Sequence, residues 1–156
     1  MRRICTLGAA IWFLAVSPSD ATEWFVEPGG TGNGTSNSPF GRVQDGLNSA
    51  LPGDTVTIRP GTYTESVRTV RNGAEDAAIR VRAVEPRTVV ITASGVVLRV
   101  DHAYIVFEGL VLDGQYGADD AVDVNNGAHF LQLENLEVRR SGQDPPGAPR
   151  RAVLPP

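Results

Sequence analysis

Four carboxylates crowd one short stretch of the chain: Asp113, Asp119, Asp120 and Asp123. The run Asp119-Asp120-Ala121-Val122-Asp123 places three of them within five residues. On a strand, alternate residues share a face. A turn leading into that strand can aim Asp119 and Asp120 at the point Asp123 faces. Closely set carboxylate oxygens suit Ca²⁺, which takes several oxygens in irregular geometry. Asn125 and Asn126 offer amide oxygens beside them. The same aspartates also read as ordinary solvated turn residues. Arg139 and Arg140 follow shortly after, and a guanidinium fork matches a carboxylate with two parallel hydrogen bonds. The pair is a candidate substrate-binding group, with a solvated strand end as its plainer reading. His102 and His129 stand near equivalent places and could flank a sugar; turn histidines are the plainer reading. Fourteen arginines account for every basic residue, so the chain has no Lys. No catalytic base can be named.

The elements that must hold these residues repeat. Ile105 to Leu112 lies over Leu131 to Val138 at a shift of about 26 residues, a period typical of solenoids. Apolar positions coincide as Ile105/Leu131, Phe107/Leu133, Leu110/Leu136 and Leu112/Val138, and Glu108 coincides with Glu134. The same shift backwards sets Ile79, Val81 and Val84 under Ile105, Phe107 and Leu110. Tyr104 and Phe130 begin equivalent strands and read as a stacked core pair. From Ala77 onward the pattern is short strands joined by Gly, Asn and Asp turns. This spacing predicts parallel coils, each strand pairing with its counterpart one rung away. An antiparallel sandwich is the competing architecture, and Asn126-Gly127 is the one pair suited to closing a hairpin.

Outside the repeat, residues 1–21 read as a secretory signal: Arg2 and Arg3, an apolar stretch from Ile4 to Val16, then Ser19-Asp20-Ala21 at the cleavage point. Secretion to an extracellular or periplasmic space follows from that reading, with no membrane association after cleavage. The stretch is short for a membrane span. Cys5 is the only cysteine, so no internal disulfide can form. The net charge of −4 and scattered arginines exclude a basic nucleic-acid surface. Ser38-Pro39 followed by Phe40, Val43, Leu47 and Ala50 or Leu51 predicts an amphipathic helix over about 39–51. Residues 144–156 carry five prolines and no period, which predicts a disordered tail that cannot form another rung. Such a stop exposes the last coil. The β-helix domain, residues 22–143, therefore reads as truncated after a few coils, the tail as the product of a shifted frame, and end-to-end self-association as one way to cover the exposed edge.

Several motifs together carry a family likeness. They are Trp24-Phe25-Val26-Glu27-Pro28-Gly29-Gly30, Gly32-Asn33-Gly34-Thr35, Ser38-Pro39-Phe40, Gln44-Asp45-Gly46-Leu47, Pro52-Gly53-Asp54-Thr55-Val56 and Pro60-Gly61-Thr62-Tyr63. The chain resembles the start of the secreted pectate-lyase-like proteins, among them pectate lyases of polysaccharide lyase family 9 and the chondroitinase B/alginate lyase family 6. The resemblance implies an all-β, right-handed parallel β-helix with a short N-terminal capping helix. It implies acidic polysaccharide as partner and β-elimination as the reaction of full-length relatives. It also implies a calcium site at Asp119, Asp120 and Asp123. The chain departs from that pattern: near Gly95 the preceding coil offers no carboxylate, Asp101 being the nearest. The family's lysine base has no counterpart. This combination predicts a segment that binds acidic glycan and is inactive alone; a non-catalytic carbohydrate-binding or cell-surface module is the alternative.

Overall fold

Strands alternate inward apolar and outward polar residues wherever one face is buried. Ile79-Arg80-Val81-Arg82 follows that rule, with Ile79 and Val81 buried and the arginines exposed. The computed structural model describes residues 21–142 and the backbone of residues 152–153. The leader expected over 1–21 lies outside the described residues except for Ala21.

Strand β1 (Glu23–Val26) leads to helix α1 (Val43–Ser49) and then to successive rungs. The first rung holds β2 (Thr55–Ile58), β3 (Gly61–Thr64) and β4 (Val67–Arg68). The second holds β5 (Ile79–Ala83), β6 (Val89–Thr92) and β7 (Leu98–Val100). The third holds β8 (Ile105–Glu108), β9 (Leu110–Asp113) and β10 (Val122–Val124). The fourth begins with β11 (Leu131–Glu134) and β12 (Glu137–Arg139). Equivalent strands stack in parallel into three sheets: β1-β2-β5-β8-β11, β3-β6-β9-β12 and β4-β7-β10. This is a parallel β-helix, not a sandwich. Asn126-Gly127 closes no hairpin, because β10 and β11 belong to different sheets. Strand β13 (Ala152–Val153) lies antiparallel along β12, so this piece of the tail is a strand at a sheet edge. The rest of the predicted disordered tail is outside the described residues.

Register carries the repeat. Ile79 pairs with Ile105 and Ile105 with Leu131; Val81 pairs with Phe107 and Phe107 with Leu133. The expected match of Val84 with Leu110 does not hold. Val84 is 52% exposed at the end of β5, and Leu110 pairs with Val89. The second rung inserts extra residues at this corner, which breaks the period there. The third and fourth rungs turn the corner more tightly through one left-handed residue, Gly109 (φ 74°) or Asn135 (φ 52°). Gly and Asn are the residues that tolerate this conformation best. Two strands, β3 and β4, form ahead of Ala77, where the strand pattern read from the sequence begins.

Helix α1 starts at Val43, not at residue 39. Ser38 and Phe40 instead belong to an extended segment: the Phe40 N–H donates to the Phe25 carbonyl at 2.9 Å, and the Glu27 N–H to the Phe40 carbonyl at 2.9 Å. The helix lays Val43, Gly46 and Leu47 on the first rung. A Cβ at Gly46 would stand 2.6 Å from Val56 Cγ1, so only glycine lets the helix sit this close. Two side chains from the β4 region, and one from the helix itself, hold it. Glu65 accepts from the N–H groups of Val43 (2.7 Å) and Gln44 (3.3 Å) at its start. Arg71 donates to the Ala50 and Asn48 carbonyls at its end. The Gln44 side chain reaches back: its Oε1 accepts from the Arg68 N–H at 2.9 Å and its Nε2 donates to the Arg68 carbonyl at 3.2 Å. At the Pro52-Gly53-Asp54 turn, Asp54 accepts from the Thr22 N–H, Trp24 Nε1 and the Leu51 N–H, at 2.8, 3.0 and 2.9 Å.

Leu47 is 3% exposed and closes the end of the coil core. Leu47→Asp puts an uncompensated carboxylate there and is expected to cost on the order of 3–5 kcal/mol. An unchanged thermal midpoint would show that α1 is not the plug.

Candidate functional site

The sheet β4-β7-β10 is built from strands too short to carry more than one or two outward residues each. Val67 and Leu98 point into the core, which leaves Arg68, Arg99 and Asp123 outward and in one line across the rungs. The Arg99 Nε donates to Asp123 Oδ2 at 3.1 Å. Arg68 Nη2 stands 3.7 Å from Asp101 Oδ2, an ion pair beyond hydrogen-bond length. That Asp101 oxygen is buried and accepts no hydrogen bond, while its twin accepts from Asn125 Nδ2. A shallow depression of about 380 Å³ runs along this face, lined by Gln44, Ser66, Val67, Arg68, Val96 and Arg99.

The acidic turn lies beside the same sheet. Asp119 and Asp120 are exposed, and among the described residues their carboxylates make no hydrogen bond or ion pair. The Asp119 carbonyl accepts from the Gly142 N–H at 3.3 Å, and the Ala121 N–H donates to Ser141 Oγ at 2.9 Å. Of the three aspartates expected to hold calcium, Asp123 is ion-paired with Arg99, while Asp119 and Asp120 are exposed. Among the described residues no group of three His, Cys, Asp or Glu side chains can hold a metal ion. Register sets Asp123 opposite Arg99 one rung earlier, and that guanidinium compensates its charge directly.

The arginines expected to bind substrate are also engaged. Arg139 Nε donates to Glu137 at 2.8 Å. Arg140 grips Asp113 with a two-pronged fork, its Nε 2.7 Å from Oδ1 and its Nη2 on Oδ2, and its guanidinium lies 5.8 Å from the Tyr116 ring centre. Asp113 is thus a buried structural anchor and not a member of the acidic turn. His102 Nδ1 and Thr69 Oγ1 are 2.9 Å apart, and His129 Nδ1 donates to the Gly127 carbonyl at 3.0 Å. Tyr104 and Phe130 do stack, at 4.7 Å and 15°, but on the surface: Phe130 is 68% exposed. Their left-handed backbone (φ 56° and 50°) turns both rings outward.

No family model matches the chain. Pectate lyase PEL9 of Emericella nidulans is 31% identical over 91 residues, covering 54% of this chain and 22% of that protein. The fold is similar to alginate lyase from Paenibacillus sp. str. FPU-7, with a TM-score of 0.55 and 22% identity, covering 62% of this chain and 33% of that one. It is similar to pectate lyase Pel9A, with a TM-score of 0.53 and 18% identity, covering 76% and 39%. The chain is a parallel β-helix, similar in fold to these two lyases. It spans about a fifth of the length of PEL9 and between a third and two fifths of the two solved lyases.

Sequence reading missed Arg68 and Arg99 in this parallel β-helix. Their signal was the alternation in Val67-Arg68 and Leu98-Arg99-Val100, which becomes visible only once the strands are set in register. The Arg140–Asp113 fork has its own consequence. Burial pushes the Asp113 carboxyl up, but the Arg140 hydrogen bonds, the Gln115 N–H and the charges of Arg140 and Arg139 outweigh it and hold it below its ordinary value. A lowered carboxyl contributes stability above its unfolded-state value, about 3.9, and loses that contribution as pH falls through the folded value. Asp113→Asn is expected to cost on the order of 1–3 kcal/mol at pH 7, discounted for the half-exposed Arg140. The variant's thermal midpoint should then fall less steeply than the wild type's below about pH 4. Parallel midpoint curves between pH 7 and pH 3 would show that the fork contributes nothing.

Proposed function

We propose that this chain binds acidic polysaccharide along the outer face of β4-β7-β10 and does not cleave it. The observation that supports this reading most is the open depression bordered by two arginines on a fold shared with a pectate lyase and an alginate lyase. Pectate and alginate are chains of uronate sugars, and guanidinium groups are suited to their carboxylates. β-Elimination needs a base that takes the proton beside the uronate carboxylate while the bond to the leaving sugar breaks. The chain has no lysine, and Arg99, Arg139 and Arg140 are each held by a carboxylate. These features favour binding over turnover. The reading rests on the two arginines and does not call on calcium.

Secretion belongs to the same proposal, with cleavage after Ala21. The Thr22 nitrogen lies 2.8 Å from Asp54 Oδ1. In a chain cut at that bond the nitrogen becomes an ammonium group, and the contact becomes a charge-assisted hydrogen bond. N-terminal sequencing of the exported protein is expected to begin at Thr22. No helix among the described residues is long and apolar enough to cross a membrane.

Two assays on polygalacturonate test the function. Electrophoresis in a gel containing the polymer is expected to retard the protein, and incubation is expected to release no unsaturated uronides by ultraviolet absorbance. Migration unaffected by the polymer overturns binding. Absorbance rising in proportion to protein overturns the non-cleaving reading and makes the chain a lyase.

A further inference from the structure

We propose that Arg68 and Arg99 form a metal-independent site for the carboxylate groups of an acidic glycan, where the resemblance predicted a calcium centre. The inference rests on the binding function proposed above and names the groups that carry it. Arg68 and Arg99 are direct register partners on adjacent parallel strands. Such strands lie about 4.8 Å apart, and like charges placed directly opposite each other are destabilising. No acidic side chain of the described residues lines the depression between them. Their carboxylate partners lie to the side of the following rung: Asp123 takes the Arg99 Nε, and Asp101 stands 3.7 Å from Arg68. A guanidinium carries five N–H donors. The one hydrogen bond on Arg99 and the long ion pair on Arg68 leave most of them open to a ligand.

The rest of the depression is neutral and already held in place. Ser66 Oγ donates to the Val96 carbonyl at 2.8 Å. The Gln44 amide is spent on the Arg68 backbone and on Asn48. Half-exposed Val96 supplies an apolar patch for a sugar ring. A volume of about 380 Å³ falls within the usual range of small-molecule sites. Two positive forks one strand spacing apart match an anion that bridges them, or carboxylates on neighbouring sugars of one chain.

The test is calorimetric titration of tetragalacturonate into the full chain with EGTA present. Far-ultraviolet circular dichroism confirms that each variant is folded. Saturable binding is expected, unchanged by the chelator. Arg68→Gln and Arg99→Gln are each expected to weaken it about tenfold or more, as for loss of a charged hydrogen-bond pair. Asp123→Asn, which releases Arg99 from its ion pair, is expected to bind as tightly as the parent or more tightly. Binding that needs calcium and is lost in Asp123→Asn but kept in Arg99→Gln overturns the proposal in favour of a metal centre. Equal binding by parent, Arg68→Gln and Arg99→Gln overturns it while leaving the polysaccharide function intact. Equal binding of the fully methyl-esterified oligomer overturns the carboxylate and leaves a neutral-sugar module. Absence of any binding by the folded parent overturns both readings.

Discussion

A parallel β-helix stands only if each inward side chain meets an apolar partner one coil away. Its backbone ladder fixes that meeting, because every strand hydrogen-bonds to its counterpart and cannot slide by one residue without turning its apolar face outward. Here the columns are Ile79-Ile105-Leu131, Val81-Phe107-Leu133 and Ile91-Leu112-Val138. The register that builds these columns also sets the outward neighbours. Arg68 faces Arg99, Arg99 faces Asp123, and Thr92 leads through Asp113 to Arg139. The pattern of charges on the outer surface is therefore a by-product of core stacking. Moving one outward residue to another line would require moving its inward neighbours as well.

The open end of such a stack is its weak point. Helix α1 covers it with Val43, Gly46 and Leu47, but a seven-residue helix has little stability of its own. Glu65 and Arg71, from the segment around β4, bind the two ends where helical N–H and carbonyl groups lack partners. The helix and the first rung are thus mutually dependent. The helix seals the core, and the rung supplies the caps that the helix lacks in its own sequence.

Much of the architecture was legible in the sequence, and the gaps have physical causes. The columns from Ile79 to Leu133 were readable because the path from the first sheet round to itself keeps a near-constant length there. Val84 was misplaced because the corner after β5 is longer than the corner at Gly109, and a fixed period cannot see an insertion. The helix start was misplaced because Ser38-Pro39 mimics a cap, whereas the actual cap, Glu65, is non-local. The same limit governs the site. Asp119, Asp120 and Asp123 are close in sequence, and that closeness suggested a cluster. The charge that Asp123 meets is Arg99, a full rung earlier. Arg140 looked free because its partner, Asp113, also sits a rung away and is only 5% exposed. The pairing of Tyr104 with Phe130 followed from the repeat. Their exposure did not, since it depends on left-handed backbone angles that the period does not encode.

The Gln44 amide gives the stack a direction. By offering one acceptor and one donor to the Arg68 peptide, it imitates the backbone of a neighbouring strand and occupies that edge of the sheet. At the opposite edge, β10 presents its outer backbone groups with no such imitation among the described residues. An incoming strand at the α1 end must first displace a side chain already bonded in strand fashion, whereas beyond β10 no described residue is bonded in that way. The two edges of this sheet are for that reason unlike: the one where α1 sits is closed to strand addition by a side chain that already plays the strand's part.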